Sequence, residues 1–281
     1  MTNQVKIMDV SKVSIFRDIQ INIGRALGVN LSSGDDNVCR HLDSLKMSTK
    51  GIPDLRNNSD LMLSIEGHIL SLLSIVNIKG YKSMQFPANI RILESKRESS
   101  NNLNMSEYRT TLLHCDSWSG APQDTLNIFL GIFVIPGAPW LQMFHTFPEN
   151  HPAYSFVGPY PEAPYVESDL IEVPVPVQAG TLVFWPTQTP HKTEQGLSVD
   201  GLWRISLDIR LRKANPYEDV DELNDEKFSS TKMNSLGVYW SLPDQRFKSL
   251  PEKIRKEREI LSHLPSAANI AREKYLEKYY D

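Results

Sequence analysis

The sequence predicts an α+β protein in which a β-rich middle, read as a sandwich, barrel or jelly roll, lies between helical segments. Three observations predict it. Apolar residues recur at helical spacing from about residue 11 to 76, short strand-like runs fill about 86 to 213, and twelve of the 18 prolines lie between Pro122 and Pro190. Proline removes a backbone donor and clashes with the preceding turn, so long helices are forbidden in that interval.

The first periodic run is Val13, Phe16, Ile19, Ile23 and Leu27, and the second is Leu61, Ile65, Ile69, Leu72, Leu73 and Val76. These predict two amphipathic helices joined by a polar Ser/Gly/Asp/Asn-rich connection, so residues 1–85 form a helical region. The strand-like runs NIRIL, TTLLHCD, TLNIFLGIFVI, WLQMFHTF, LIEVPVPV, TLVFW and WRISLDIRLR then define a core at 86–213. From Asn215 the chain is charge-rich and reads as mostly helical, with Ser266 as the N-cap of a last helix, giving a C-terminal helical region at 214–281. At 281 residues the whole is read as one domain.

Composition sets the outer limits. The chain is 40% hydrophobic and 23% charged with a net charge of −4, which excludes a nucleic-acid binder working through bulk positive charge. Two cysteines, Cys39 and Cys115, supply neither a disulfide framework nor a thiolate metal cage, so the expected compartment is the cytoplasm. The N-terminal MTNQVKIMDVSKV has no continuous apolar run, and the longest apolar stretch, Leu126 to Ile135, is too short to span a bilayer. The expected partner is a small-molecule substrate, with no nucleic acid and no membrane; the oligomeric state is left open.

Two His-x-Asp triplets occur, His41-Leu42-Asp43 and His114-Cys115-Asp116. The first lies in a helix or loop reading, where positions i and i+2 do not face each other. The second ends the strand-like TTLLHCD, where i and i+2 share a side and can grip one ion while Cys115 turns away. A third ligand is offered by His191 in GTLVFWPTQTPHKTEQ, since Gly180, Pro186 and His191 fit the second metal motif of cupin barrels, Gly-x5-Pro-x4-His. Gln188 stands where that motif usually has an internal glycine. Two imidazoles and one carboxylate with open positions left over suit non-haem Fe(II) used with dioxygen. Thirteen residues beyond His191, the last strand alternates, placing Arg204, Ser206, Asp208, Arg210 and Arg212 on one face. Arg204 and Ser206 can therefore hold one carboxylate together, the guanidinium bidentately and the hydroxyl as a further donor.

The His114-x-Asp116 … His191 set followed by Arg204-x-Ser206 resembles the Fe(II)/2-oxoglutarate-dependent dioxygenases, over about Phe86 to Lys213. The stretch is also similar to a bacterial group containing Kdo sugar hydroxylases and antibiotic-pathway enzymes. The resemblance implies a double-stranded β-helix core, a cupin-like jelly roll, with flanking α-helices. It implies Fe(II) on His114, Asp116 and His191, 2-oxoglutarate as cosubstrate with its distal carboxylate on Arg204 and Ser206, and O2 as oxidant. Succinate and CO2 would leave, and an aliphatic C–H of a sugar-like or amino-acid-like metabolite would be hydroxylated. With Asp116 present, hydroxylation is favoured over halogenation; desaturation and ring closure stay open. A different class, a cupin-like isomerase or epimerase, would bind substrate directly on Arg204 and make no use of dioxygen. A non-catalytic binding module has no need of two histidines and a carboxylate in this order.

Other residues carry two readings each. Asn127 interrupts an apolar strand, either as a cosubstrate contact or as a structural hydrogen bond. Arg91 is a contact to a substrate acid group or a surface charge, and Arg204 is a carboxylate anchor or an ion-pair partner of Asp208. Trp118, with Ser119, lines a substrate entrance or packs under a loop. His145 and His151 read as lid or surface residues, His145 touching substrate. The proline- and aromatic-rich segment from Pro136 to Pro176 is where a rigid scaffold would place substrate selection.

Overall fold

The computed structural model describes residues 5–55, 58–81, 83–86, 88–95, 113–116, 124–147, 167–213 and 238–241. They fall into two compact units, one within Met1–Ser11 and Arg91–Ser206, the other within Lys12–Ile90 and Leu207–Asp281.

The first unit holds two antiparallel sheets. One has the strand order β1-β7-β4-β9, with β1 at Lys6–Asp9, β4 at Thr125–Val134, β7 at Thr181–Pro186 and β9 at Trp203–Arg212. The other has the order β6-β5-β8, with β5 at Trp140–Phe144, β6 at Glu172–Val173 and β8 at His191–Glu194. Strands β4 and β7 read as near-continuous apolar runs because they are buried on both faces. Phe129, Trp140, Leu141, Met143, Val183 and Trp185 form the apolar core of this unit, with Phe129 and Trp140 edge-to-face at 5.1 Å between ring centroids.

Gly180 sets the corner from which β7 starts. Its φ is +86°, and a Cβ there would lie 2.6–2.7 Å from the backbone and Cβ of Ser11. Its carbonyl accepts from Val10 N–H at 2.9 Å and its N–H donates to the Gly131 carbonyl at 2.8 Å, so the backbone cannot retreat without breaking the sheet. Gly180→Ala is therefore expected to cost about 2–4 kcal/mol. Thermal melting should report this as a fall of roughly 5–15 °C.

The second unit contains helices α1 (Ser14–Leu27), α2 (Asp35–Met47) and α3 (Ser59–Ile75), with β2 (Ser83–Phe86) paired to the end of β9 and β10 (Val238–Ser241) paired to β2. The periodic positions of α1 and α3 are buried as the spacing predicts, including Phe16, Ile19 and Ile23 on α1 and Ile65, Ile69 and Leu72 on α3. Each such side chain contributes about 1.5–3 kcal/mol by leaving water. Asn58 caps α3, its side chain accepting from Leu61 N–H at 3.0 Å. Strand β3 (Asn89–Glu94) pairs with β9, and the boundary between the units falls within both of these strands.

Several elements differ from the sequence reading. The polar connection between the two expected helices is itself a helix, α2, because Val38 and Leu42 are buried one turn apart and Asp35 and Asp36 favour its N-terminus. The 1–85 region opens on a strand: β1 pairs antiparallel with β7, Ile7 opposite Val183, a partner distant in sequence. LIEVPVPV shrinks to the two-residue β6, since Pro174 and Pro176 have no N–H for a ladder. In the C-terminal region, read as mostly helical, the only described residues are the strand β10, whose Val-Tyr-Trp-Ser sequence has β propensity and finds an open edge on β2. The expected Ser266 cap lies outside the described residues. None of the described helices is long and apolar enough to cross a membrane.

Candidate metal centre

His191 opens β8, and the turn that delivers it runs from Pro186 to Pro190. Thr189 N–H donates to the Pro186 carbonyl at 3.0 Å, closing the turn, and Phe144 N–H donates to the Pro190 carbonyl at 3.0 Å, tying it to β5. Gln188 replaces the glycine of the cupin motif without strain, because among the described non-glycine residues only Asn77 has a positive φ. His114 reaches the same place by an isolated antiparallel bridge to His191, with reciprocal N–H···O=C bonds of 3.0 and 2.9 Å. The sequence reading placed His114 and Asp116 on a strand. Within the described stretch 113–116 the only β pairing is this single bridge, and the pairing, not strand periodicity, brings the candidate ligands together.

The possible ligand atoms of His114, Asp116 and His191 all lie within 4.8 Å of one another. His191 Nε2 is 3.8 Å from Asp116 Oδ2, and the two imidazole centroids are 4.2 Å apart with planes tilted 51°. All three residues are buried. An ion bonded at about 2.1 Å to each would need its ligand atoms about 3 Å apart, a contraction that small χ rotations supply.

The tautomer of His191 follows from its second nitrogen. Nδ1 is 3.0 Å from the Thr189 carbonyl, which can only accept, so Nδ1 carries the proton and the Nε2 lone pair faces Asp116 and His114. Cys115 points elsewhere, its thiol donating to the Gln188 carbonyl at 3.2 Å. Burial, and after it the neighbouring Asp116 carboxylate, push this thiol well above its ordinary range, so it stays protonated and does not compete as a thiolate ligand. The donor set is therefore two nitrogens and one carboxylate oxygen, which fits a borderline divalent ion such as Fe(II) with positions to spare.

The other sequence candidates separate. Trp185 lies against the centre, its ring 5.3 Å from that of His191 at 63°. In the β4–β7 register Asn127 is opposite Trp185 and Phe129 opposite Val183, so these four share one face of the sheet. Arg204 joins that face: its guanidinium carbon is 5.5 Å from the Phe129 centroid and 5.9 Å from that of Trp140. Arg204 is only 2% exposed and Ser206 fully buried, so the polar face of β9 turns inward rather than to solvent. Ser206 Oγ has no hydrogen-bond partner among the described residues. Asn127 is buried on the face that Trp185 and Arg204 occupy. Arg91 is half-buried on β3, and His145 is exposed just beyond β5. Trp118, Ser119 and His151 lie outside the described residues, as does much of the Pro136–Pro176 segment.

The discarded triplet has a structural job. His41 lies on α2 and its Nε2 is 2.8 Å from the Leu27 carbonyl, satisfying the C-terminal turn of α1. Sequence reasoning passed over two features of the centre. The Thr189 carbonyl leaves no trace in residue type, since any residue has one. Trp185 was read only as part of a strand; its place in the alternation Thr181, Val183, Trp185 puts it on the inner face.

The geometry gathers two histidines and one carboxylate into a buried group that could hold a divalent metal. No protein-family model and no curated protein matches the chain. Solved structures do, among them the following four with TM-scores of 0.35–0.43. A non-heme monooxygenase, ThoJ, aligns over 93% of this chain and 92% of its own at 11% identity and a TM-score of 0.43. The epimerase SnoN, solved with Fe3+, alpha-ketoglutarate and nogalamycin RO, aligns over 75% and 79% at 15% identity and a TM-score of 0.42. A second SnoN structure aligns over 58% of this chain and 60% of its own at 16% identity and a TM-score of 0.38, so the chain spans less than two thirds of that relative. A prolyl-4-hydroxylase from Pseudomonas putida aligns over 76% and 90% at 13% identity and a TM-score of 0.35. Likeness at this level assigns no activity, and the residues of the centre carry the functional reading.

Proposed function

We propose that the protein is an Fe(II)- and 2-oxoglutarate-dependent oxygenase that hydroxylates an aliphatic C–H of a small polar, sugar-like or amino-acid-like molecule. The observation that carries this reading is the gathering of His114, Asp116 and His191 into one buried cluster with Nε2 of His191 presented inward. These three would hold the iron. Iron with 2-oxoglutarate and dioxygen supplies an oxidant strong enough for an unactivated C–H bond.

The remaining residues bind and orient. Arg204 would take the distal carboxylate of the cosubstrate as a fork, with Ser206 Oγ as a further donor. Phe129 and Trp140 support the guanidinium from behind and keep water from it, which strengthens its attraction for an anion. Asn127 offers an amide on the same buried face.

The test is an anaerobic titration of metal-free protein with Fe(II) and then 2-oxoglutarate, watching for the visible charge-transfer band of a chelated 2-oxo acid. We expect a saturable band and, on admitting air with a suitable substrate, succinate in step with product. Iron-loaded protein that gives no band would overturn the 2-oxoglutarate assignment and favour a cupin-like isomerase or epimerase working without dioxygen.

A further inference from the structure

Trp185 Nε1 is buried and has no hydrogen-bond partner among the described residues. The residue as a whole is 5% exposed, so water does not reach this donor from the surface. Buried indole N–H groups nearly always find an acceptor, because leaving one unmade costs about 1–3 kcal/mol. Trp140, its neighbour in the same apolar cluster, follows that rule and donates to the Val175 carbonyl at 3.2 Å. Trp185 breaks it beside a metal-ligating histidine.

Two features say what the missing acceptor is. The Trp185 ring is in edge contact with His191, 5.3 Å between ring centroids, which puts this tryptophan beside the candidate metal cluster. Trp185 also shares its cluster with Phe129 and Trp140, the two rings beneath the Arg204 guanidinium. A second buried donor with no partner, Ser206 Oγ, lies two residues from Arg204 on the same strand face. These two donors thus belong to the residue next to His191 and to the strand that carries Arg204. A dicarboxylate reaching from the metal cluster to Arg204 would bring an acceptor to each of them.

We infer that Trp185 is a cosubstrate-binding residue: its indole N–H donates to a carboxylate oxygen of 2-oxoglutarate at the metal end, as Ser206 and Arg204 do at the distal end. This rests on the oxygenase reading given above. It assigns a role to a residue that would otherwise count only as core packing. It also explains why a tryptophan, and not a phenylalanine of similar bulk, is tolerated with its polar atom buried.

The experiment compares wild type and Trp185→Phe, both loaded with Mn(II) and titrated with 2-oxoglutarate in a calorimeter, while Mn(II) affinity is read separately by electron paramagnetic resonance. The expected result is an approximately tenfold or greater rise in the 2-oxoglutarate Kd with Mn(II) affinity held within about twofold, since a hydrogen bond to a charged group is lost and no metal ligand is touched. Equal 2-oxoglutarate affinity in the two proteins would overturn the role of Trp185 and leave the oxygenase reading standing. Wild type that binds Mn(II) but not 2-oxoglutarate would overturn both. Should the variant fail to fold, wild type carrying 15N at its five tryptophan indoles and loaded with Zn(II) serves instead. One indole proton signal moving downfield as 2-oxoglutarate saturates the protein supports the assignment, and five unmoved signals overturn it.

Discussion

His191→Ala is expected to lower Fe(II) affinity more than about a hundredfold and to take succinate formation below detection. Loss of a mere supporting hydrogen bond around a metal ligand costs about 10–100-fold, so loss of the ligand itself costs more. The substitution also removes the ring that stands 4.2 Å from His114 and 3.8 Å, by its Nε2, from Asp116, leaving a buried carboxylate with less to compensate it. The backbone bridge between residues 114 and 191 survives, because it uses only N–H and C=O groups. The variant should therefore fold, with circular dichroism like that of wild type and equilibrium dialysis showing the metal defect. Full Fe(II) binding in folded His191→Ala would remove this residue from the centre.

The second large effect falls on Arg204. Arg204→Ala should bind Fe(II) as wild type does and need about a hundredfold more 2-oxoglutarate or worse, since each hydrogen bond to a charged group is worth about 1.5–3 kcal/mol and a fork makes two. Arg204→Lys should recover little of this. An ammonium cannot present the planar fork, and it is more strongly hydrated than the guanidinium that rests over Phe129 and Trp140. Titration of each iron-loaded variant checks the expectation, and an unchanged 2-oxoglutarate requirement in Arg204→Ala would show that Arg204 serves the fold and not the cosubstrate. Read together, the two variants separate the ends of the site: one loses the metal, the other keeps it.

The cluster of His114, Asp116 and His191 was legible in the sequence, as were parts of the fold around it. His114, Asp116 and His191 could be picked out because ligand chemistry restricts residue type: few side chains offer a nitrogen or carboxylate lone pair, and only one distal histidine fell after a glycine-started strand. Arg204 and Ser206 were legible as a pair because strand alternation puts i and i+2 on one face, and a guanidinium beside a hydroxyl suits a carboxylate. Both lie on the observed strand β9, and both are buried. Strands β4, β7 and β9 were legible as long apolar or alternating runs. Strand β1 was not, because four residues carry too little periodicity and its pairing with β7 is a contact between distant parts of the chain. Helix α2 was hidden for a related reason: its mean polarity is high, and only Val38 and Leu42 mark its buried side.

The sequence by itself determined which atoms are available: two imidazoles, a carboxylate, an arginine and a hydroxyl in an order that fits a metal and an oxo-acid. It also determined the helices that an apolar stripe requires and the strands that proline-bounded runs permit. The tertiary structure alone decided how those atoms meet. The bridge between residues 114 and 191 replaces the strand expected at His114, the Thr189 carbonyl selects the tautomer of His191, and the Trp185 indole is left without an acceptor. These depend on backbone groups and on residues far apart in the chain. Neither is encoded in the residue types of any one stretch; both are fixed only when the pleated strands bring those stretches into register.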